Sequence, residues 1–92
     1  MTHLTTVTGP LPACDIGVAE AHGHLWIDAP VPDAPTLTDE PAAATELALF
    51  RAAAGTLVVD CQPGGCGRDG RALARLSARS GVAVVAATGF HL

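Results

Sequence analysis

At 92 residues the chain is one domain at most, and a chain of that size buries roughly 60–70 % of the surface its unfolded form exposes. A composition that is 49 % apolar and 15 % charged excludes disorder over most of the length. The net charge of −4 argues against a general affinity for nucleic acid, whose phosphates demand a basic surface.

The first predicted element is a hairpin over residues 3–14. His3-Leu4-Thr5-Thr6-Val7-Thr8 is β-prone, Gly9-Pro10 marks a turn, and Leu11-Pro12-Ala13-Cys14 returns as a short strand. Pro12 restricts that second strand to a sheet edge. The start Met1-Thr2-His3-Leu4-Thr5-Thr6 has no basic region followed by an apolar block, so no signal peptide is read there. No apolar run approaches the ~20 residues of a membrane span.

Residues 18–27 read as a strand that carries His22-Gly23-His24. Side chains at i and i+2 share one face of a strand, so His22 and His24 project together and Gly23 turns away. Two adjacent imidazoles can chelate one transition metal, and zinc takes nitrogen ligands readily. The bland alternative is two polar residues in a half-buried strand. Glu20 is two residues before His22, hence expected on the same face. An extended loop follows at 29–38, rich in proline.

A helix is predicted over 41–54, capped by Thr38 or Asp39, with Pro41 in its first turn. Ala43, Leu47, Phe50 and Ala54 form its buried face, and Gly55 closes it. Thr56-Leu57-Val58-Val59-Asp60 is a short apolar strand, as expected where both faces are covered. A glycine-rich loop spans Cys61 to Arg68. A second helix over 69–80 presents Leu73 and Leu76 on one side and Arg71, Arg75 and Arg79 on the other, and Gly81 ends it. Residues 82–87 form the last strand, before Thr88-Gly89-Phe90-His91-Leu92.

A hairpin followed by βαβαβ implies an α/β fold with a parallel sheet. Chemistry in such sheets gathers at the carboxyl ends of the strands. His24, the loop from Cys61 to Arg68, and Phe90-His91 all fall there.

In this order, several landmarks carry a resemblance. They are Val7-Thr8-Gly9-Pro10-Leu11, Leu25-Trp26-Ile27-Asp28 after the histidine pair, Thr56-Leu57-Val58-Val59-Asp60, Gly67-Arg68-Asp69, and Gly81-Val82-Ala83-Val84-Val85 with Thr88-Gly89-Phe90. Together they resemble the phosphotriesterase-like family of metal-dependent hydrolases, in the amidohydrolase superfamily, from about residue 7 onward. That resemblance implies the first βαβαβ part of a (β/α)₈ TIM barrel, an incomplete barrel, since the complete fold takes about 250 residues. It implies that His22 and His24 bind one of two divalent metals, most often zinc. It implies a small ester or phosphotriester substrate (lactones and related esters included), attacked by a hydroxide shared between the metals. Phe90 would line the substrate pocket. The family's bridging carboxylated lysine, two further histidines and a late aspartate come from the fourth strand onward, and this chain contains no lysine. Gly23 stands where the family commonly has glutamate, and Glu20 where it usually has an uncharged residue.

The remaining candidates have modest readings. Cys61 and Cys66 are read as small loop thiols before a second metal or redox site, and Cys14 as structural. The glycine-rich loop lacks the spacing of phosphate-binding motifs, so Arg68 and Asp69 are expected to fix the loop and cap the helix. The arginine stripe reads as a solvated face. Asp60 is expected to hydrogen-bond within the barrel mouth, His91 is a lesser pocket candidate, and His3 is read as exposed. An odd number of cysteines without an export signal points to reduced thiols in the cytoplasm. Two functions follow: a zinc-dependent hydrolase whose complete site needs further strands, or a non-catalytic truncated remnant that binds metal weakly or self-associates through open sheet edges. Neither nucleic acid nor membrane is expected as a partner, and no residue of this chain is assigned a catalytic role.

Overall fold

Residues 2–28, 36–62 and 68–87 are described by the computed structural model. Strands β1 (His3–Thr6) and β2 (Gly9–Pro12) pair antiparallel, with Thr6 opposite Gly9. The turn is therefore Val7-Thr8, not the expected Gly9-Pro10. Gly9 enters β2 with φ +120°, a conformation that glycine alone adopts without strain. The Thr6 hydroxyl donates to the Gly9 carbonyl at 2.6 Å and locks the turn. Cys14 is not in a strand; past Pro12 the chain winds into a short 3₁₀ turn, Ala13–Asp15.

Strand β3 (Val18–Gly23), β4 (Gly55–Asp60) and β5 (Ala83–Ala86) form one parallel sheet in that order, with β4 in the centre. Helix α1 (Glu40–Ala52) joins β3 to β4, and α2 (Gly70–Ser80) joins β4 to β5. The α/β alternation expected from the sequence is thus the observed architecture. The Val7 N–H donates to the Val84 carbonyl at 2.9 Å and ties the hairpin to the sheet.

Strand β3 stops at Gly23, short of the expected 27. The physical cause is a competing acceptor: the Leu25 N–H donates to the Asp60 carboxylate at 2.8 Å instead of continuing a ladder. Ile27 then pairs with Leu37 through two backbone hydrogen bonds of 3.0 and 2.9 Å. Residues 29–35, on which most of the expected proline-rich loop falls, lie outside the described residues.

Asp39 caps α1, its Oδ1 accepting from the Ala42 N–H at 3.0 Å. Asp69 caps α2 in the same way, its Oδ1 accepting from Arg71 and Ala72 at 3.0 and 3.2 Å. Each cap satisfies amides that a helix start leaves without internal partners. Gly81 ends α2 in the left-handed conformation, φ +76°. The end of α1 differs from expectation. Ala54, not Gly55, takes the left-handed conformation (φ +73°), and Gly55 is the buried first residue of β4. Glycine is required there for space, because a Cβ would collide with the Phe50 ring.

The core lies between the sheet and the helices. Ala44, Leu47, Val58, Leu76 and Val82 form one buried cluster, with Leu25, Trp26, Ala43 and Phe50 packed against it. Leu47 and Phe50 face inward as expected, whereas Ala54 is exposed and Ala44 takes its place. Each buried leucine or valine contributes about 1.5–3 kcal/mol. Across the helix layer Arg75 pairs with Glu40 at 2.9 Å, and the Arg51 guanidinium donates to the Gly81 carbonyl at 2.6 Å. The arginine face is thus solvated but not idle.

Candidate metal-binding site at the strand ends

His22 is the penultimate residue of β3, before Gly23, and His24 lies one residue beyond the strand. Their rings adjoin, with centroids 5.4 Å apart in an edge-to-face arrangement. The side-by-side placement expected from the sequence is present, although the strand is irregular just before it. Glu20 pairs with Val58 and Gly23 with Asp60, so three steps along β3 match two along β4. Such an irregularity is a bulge, which re-aims side chains locally.

The bulge corrects the expectation for Glu20. A Cβ on Gly23 would lie 3.1 Å from Val58 Cγ1 and 3.7 Å from Glu20 Cγ. Glu20 therefore leans to the side of Gly23 and Val58. Its carboxylate is engaged locally, accepting from the His22 backbone N–H at 3.1 Å. Gly23 does turn away from the histidine rings, into a space that Val58 leaves tight for any larger residue.

Behind the histidines sits a buried polar cluster from the end of β4. Asp60 is 1 % exposed. Its Oδ2 accepts from Leu25 N–H at 2.8 Å and its Oδ1 from Gln62 N–H at 3.0 Å. The Asp60 carbonyl accepts from Ala87 N–H at 3.0 Å, which links β4 to the end of β5. Asp60 thus has the hydrogen-bonding role expected of it, and it organises three chain segments. Gln62 is buried and reaches His24, with Oε1 3.0 Å from Nδ1. Sequence reasoning missed Gln62; the available signal was an amide two residues past a strand end that faces a histidine strand. Arg68 donates to the Ala87 carbonyl at 2.7 Å, fixing the start of α2 against the end of β5.

Cys61 is partly buried, with its sulfur 3.9 Å from the Ala21 carbonyl oxygen. Cys14 and Cys61 are free thiols. Among the described residues no three His, Cys, Asp or Glu side chains converge on one point that would hold a metal. Cys66, Phe90 and His91 lie outside the described residues. A cleft of about 410 Å³ opens beside His24, between Leu25, Leu37 and the first turns of α1 at Asp39, Ala43 and Glu46.

The parallel βαβαβ sheet matches the N-terminal part of TIM-barrel structures of the phosphotriesterase type. The chain belongs to the phosphotriesterase family, whose sequence model matches residues 2–92. A resiniferatoxin-binding protein from Rhodobacter sphaeroides is 28 % identical with a TM-score of 0.86, over 98 % of this chain and 34 % of that one. The phosphotriesterase from Mycobacterium tuberculosis is 29 % identical with a TM-score of 0.82, over 99 % and 30 %. The organophosphorus hydrolase from Deinococcus radiodurans is 33 % identical with a TM-score of 0.77, over 96 % and 28 %. This chain spans about a third of the length of the solved structures it matches. No curated protein matches it. No described helix is long and apolar enough to cross a membrane.

Proposed function

We propose that this chain carries the first metal-binding element of a zinc-dependent hydrolase acting on phosphotriesters, lactones or related esters. One observation carries the reading. The rings of His22 and His24 adjoin at the carboxyl end of the first barrel strand, where TIM barrels place their chemistry. The donor set fits zinc, as two imidazoles supply two of the three or four protein ligands the metal takes. A divalent metal bound there supplies a Lewis acid and an acidified water. The residues of this chain hold and orient. His22 and His24 donate ring nitrogens, Asp60 and Gln62 brace the segment that carries His24, and Phe90 lines the substrate pocket. Further ligands come from outside the strands described here. The family membership and the phosphotriesterase and organophosphorus hydrolase among the similar structures support this substrate class. Free thiols and the acidic net charge favour a cytoplasmic protein with no nucleic-acid or membrane partner.

A second reading is favoured by the exposure of β3. Five of its six residues are exposed and it forms one edge of the described sheet. By this reading the 92-residue chain alone is non-catalytic and self-associates through that edge. Zinc titration by calorimetry tests the first reading: His22→Ala and His24→Ala each weaken binding at least about tenfold, as expected for loss of a direct ligand. Equal binding by wild type and both variants would remove it. Size-exclusion chromatography tests the second, which a monodisperse, cooperatively melting monomer contradicts.

A further inference from the structure

The segments 23–25 and 60–62 are stitched together at three successive points. Cys61 N–H donates to the Gly23 carbonyl at 2.8 Å, the His24 ring meets Gln62 at 3.0 Å, and Leu25 N–H donates to Asp60 at 2.8 Å. The middle point is the only one between two side chains, and it involves an exposed imidazole and a buried amide. An amide oxygen only accepts, so the donor is the N–H on Nδ1. A neutral imidazole protonated at Nδ1 carries its lone pair on Nε2. We infer that Gln62 is a positioning residue that holds His24 in the Nδ1–H tautomer and so presents Nε2 outward as the ligating atom.

The arrangement is suited to that role because one buried carboxylate indexes both partners. Asp60 holds the backbone of Gln62 through Oδ1 and the residue after His24 through Oδ2. The acceptor and the ring it orients are therefore referenced to the same group, and neither shifts alone. His22 provides an internal control. Its backbone N–H is held by Glu20, and among the described residues its ring makes no hydrogen bond. The tautomer exists with or without metal; only its consequence for zinc rests on the metal-binding reading above. Partners of this kind typically alter metal affinity 10–100-fold when removed.

The test uses the whole chain with ring-¹⁵N-labelled histidine and long-range ¹H–¹⁵N correlation spectra at alkaline pH, without metal. In the wild type His24 shows the Nδ1–H pattern. In the near-isosteric Gln62→Met, and in Gln62→Ala as a second variant, His24 moves toward the Nε2–H form while His22 does not change. Gln62→Glu, which keeps an acceptor, restores the wild-type pattern. An Nε2–H pattern for His24 in the wild type, or no change in Gln62→Met, overturns the inference. Zinc calorimetry on the same proteins should show Gln62→Met weaker by about 10–100-fold and Gln62→Glu largely recovered. Equal zinc affinity in wild type and Gln62→Met overturns the functional half. A correct tautomer with no zinc binding in any variant upholds the positioning role and removes the metal reading instead.

Discussion

The Asp60 carboxylate accepts the backbone N–H of Leu25 at 2.8 Å, across a separation of 35 residues. This contact decides where β3 ends and where His24 sits. A carboxylate at the end of the central strand takes the amide that would otherwise have continued the first strand. The chain after Gly23 is drawn across the sheet end, and His24 is brought beside Gln62.

Removing that carboxylate should loosen both the fold and the site. Asp60→Ala leaves the amides of Leu25 and Gln62 without their acceptor in a region where Asp60 itself is 1 % exposed. The expected cost is about 1–3 kcal/mol for each orphaned amide. Asp60→Asn keeps one oxygen acceptor and should lose about half as much. Urea denaturation of the three proteins measures this, and an Ala variant as stable as the wild type would refute the bracing role.

The two left-handed residues predict opposite effects. Ala54 has φ +73°, which costs a non-glycine residue roughly 1–2 kcal/mol. Ala54→Gly removes that cost but enlarges the unfolded ensemble by about 0.4–1 kcal/mol. The net expectation is a gain of up to about 1.6 kcal/mol. Gly81→Ala, at φ +76°, should lose about 1 kcal/mol. Thermal melts should therefore move in opposite directions.

Gly55 and Phe50 should show energetic coupling. Gly55→Ala places a methyl group against the Phe50 ring and should destabilise by about 1–3 kcal/mol through overpacking. In a Phe50→Leu background the added methyl finds room, and the penalty should shrink. A double-mutant cycle reads the difference, and additive effects would show that the ring swings aside without cost.

The Arg75–Glu40 pair links the helices, yet it should matter little. The side chains are 54 % and 27 % exposed, so solvent screens the 2.9 Å contact. Arg75→Ala should cost less than about 1 kcal/mol and lose its effect at high salt. Asp69→Ala should cost about 0.5–2 kcal/mol, because its carboxylate caps two amides of α2. The two variants compared in one denaturation series would rank cap above surface ion pair.

Sequence alone determined the elements whose causes are local. Asp69 caps the second helix and Gly81 closes it, apolar spacing selects Leu47, Leu73 and Leu76 for burial, and the cap of the first helix is narrowed to Thr38 or Asp39, of which the structure uses Asp39. The alternation of strand and helix follows from the same short-range patterns, and with it the parallel sheet. The histidine pair was legible because residues two apart near a strand end stay close however the strand finishes. Tertiary structure decided what depends on partners far along the chain. Strand β3 stops at Gly23 because Asp60 offers a better acceptor, and the bulge that matches three residues to two sends Glu20 to the far side. Gly55 serves Phe50 rather than the helix end, since close packing and not backbone conformation excludes a side chain there. Gln62 meets His24 because Asp60 draws the chain after Gly23 across the end of the central strand, and a contact spanning 38 residues leaves no periodicity in the sequence.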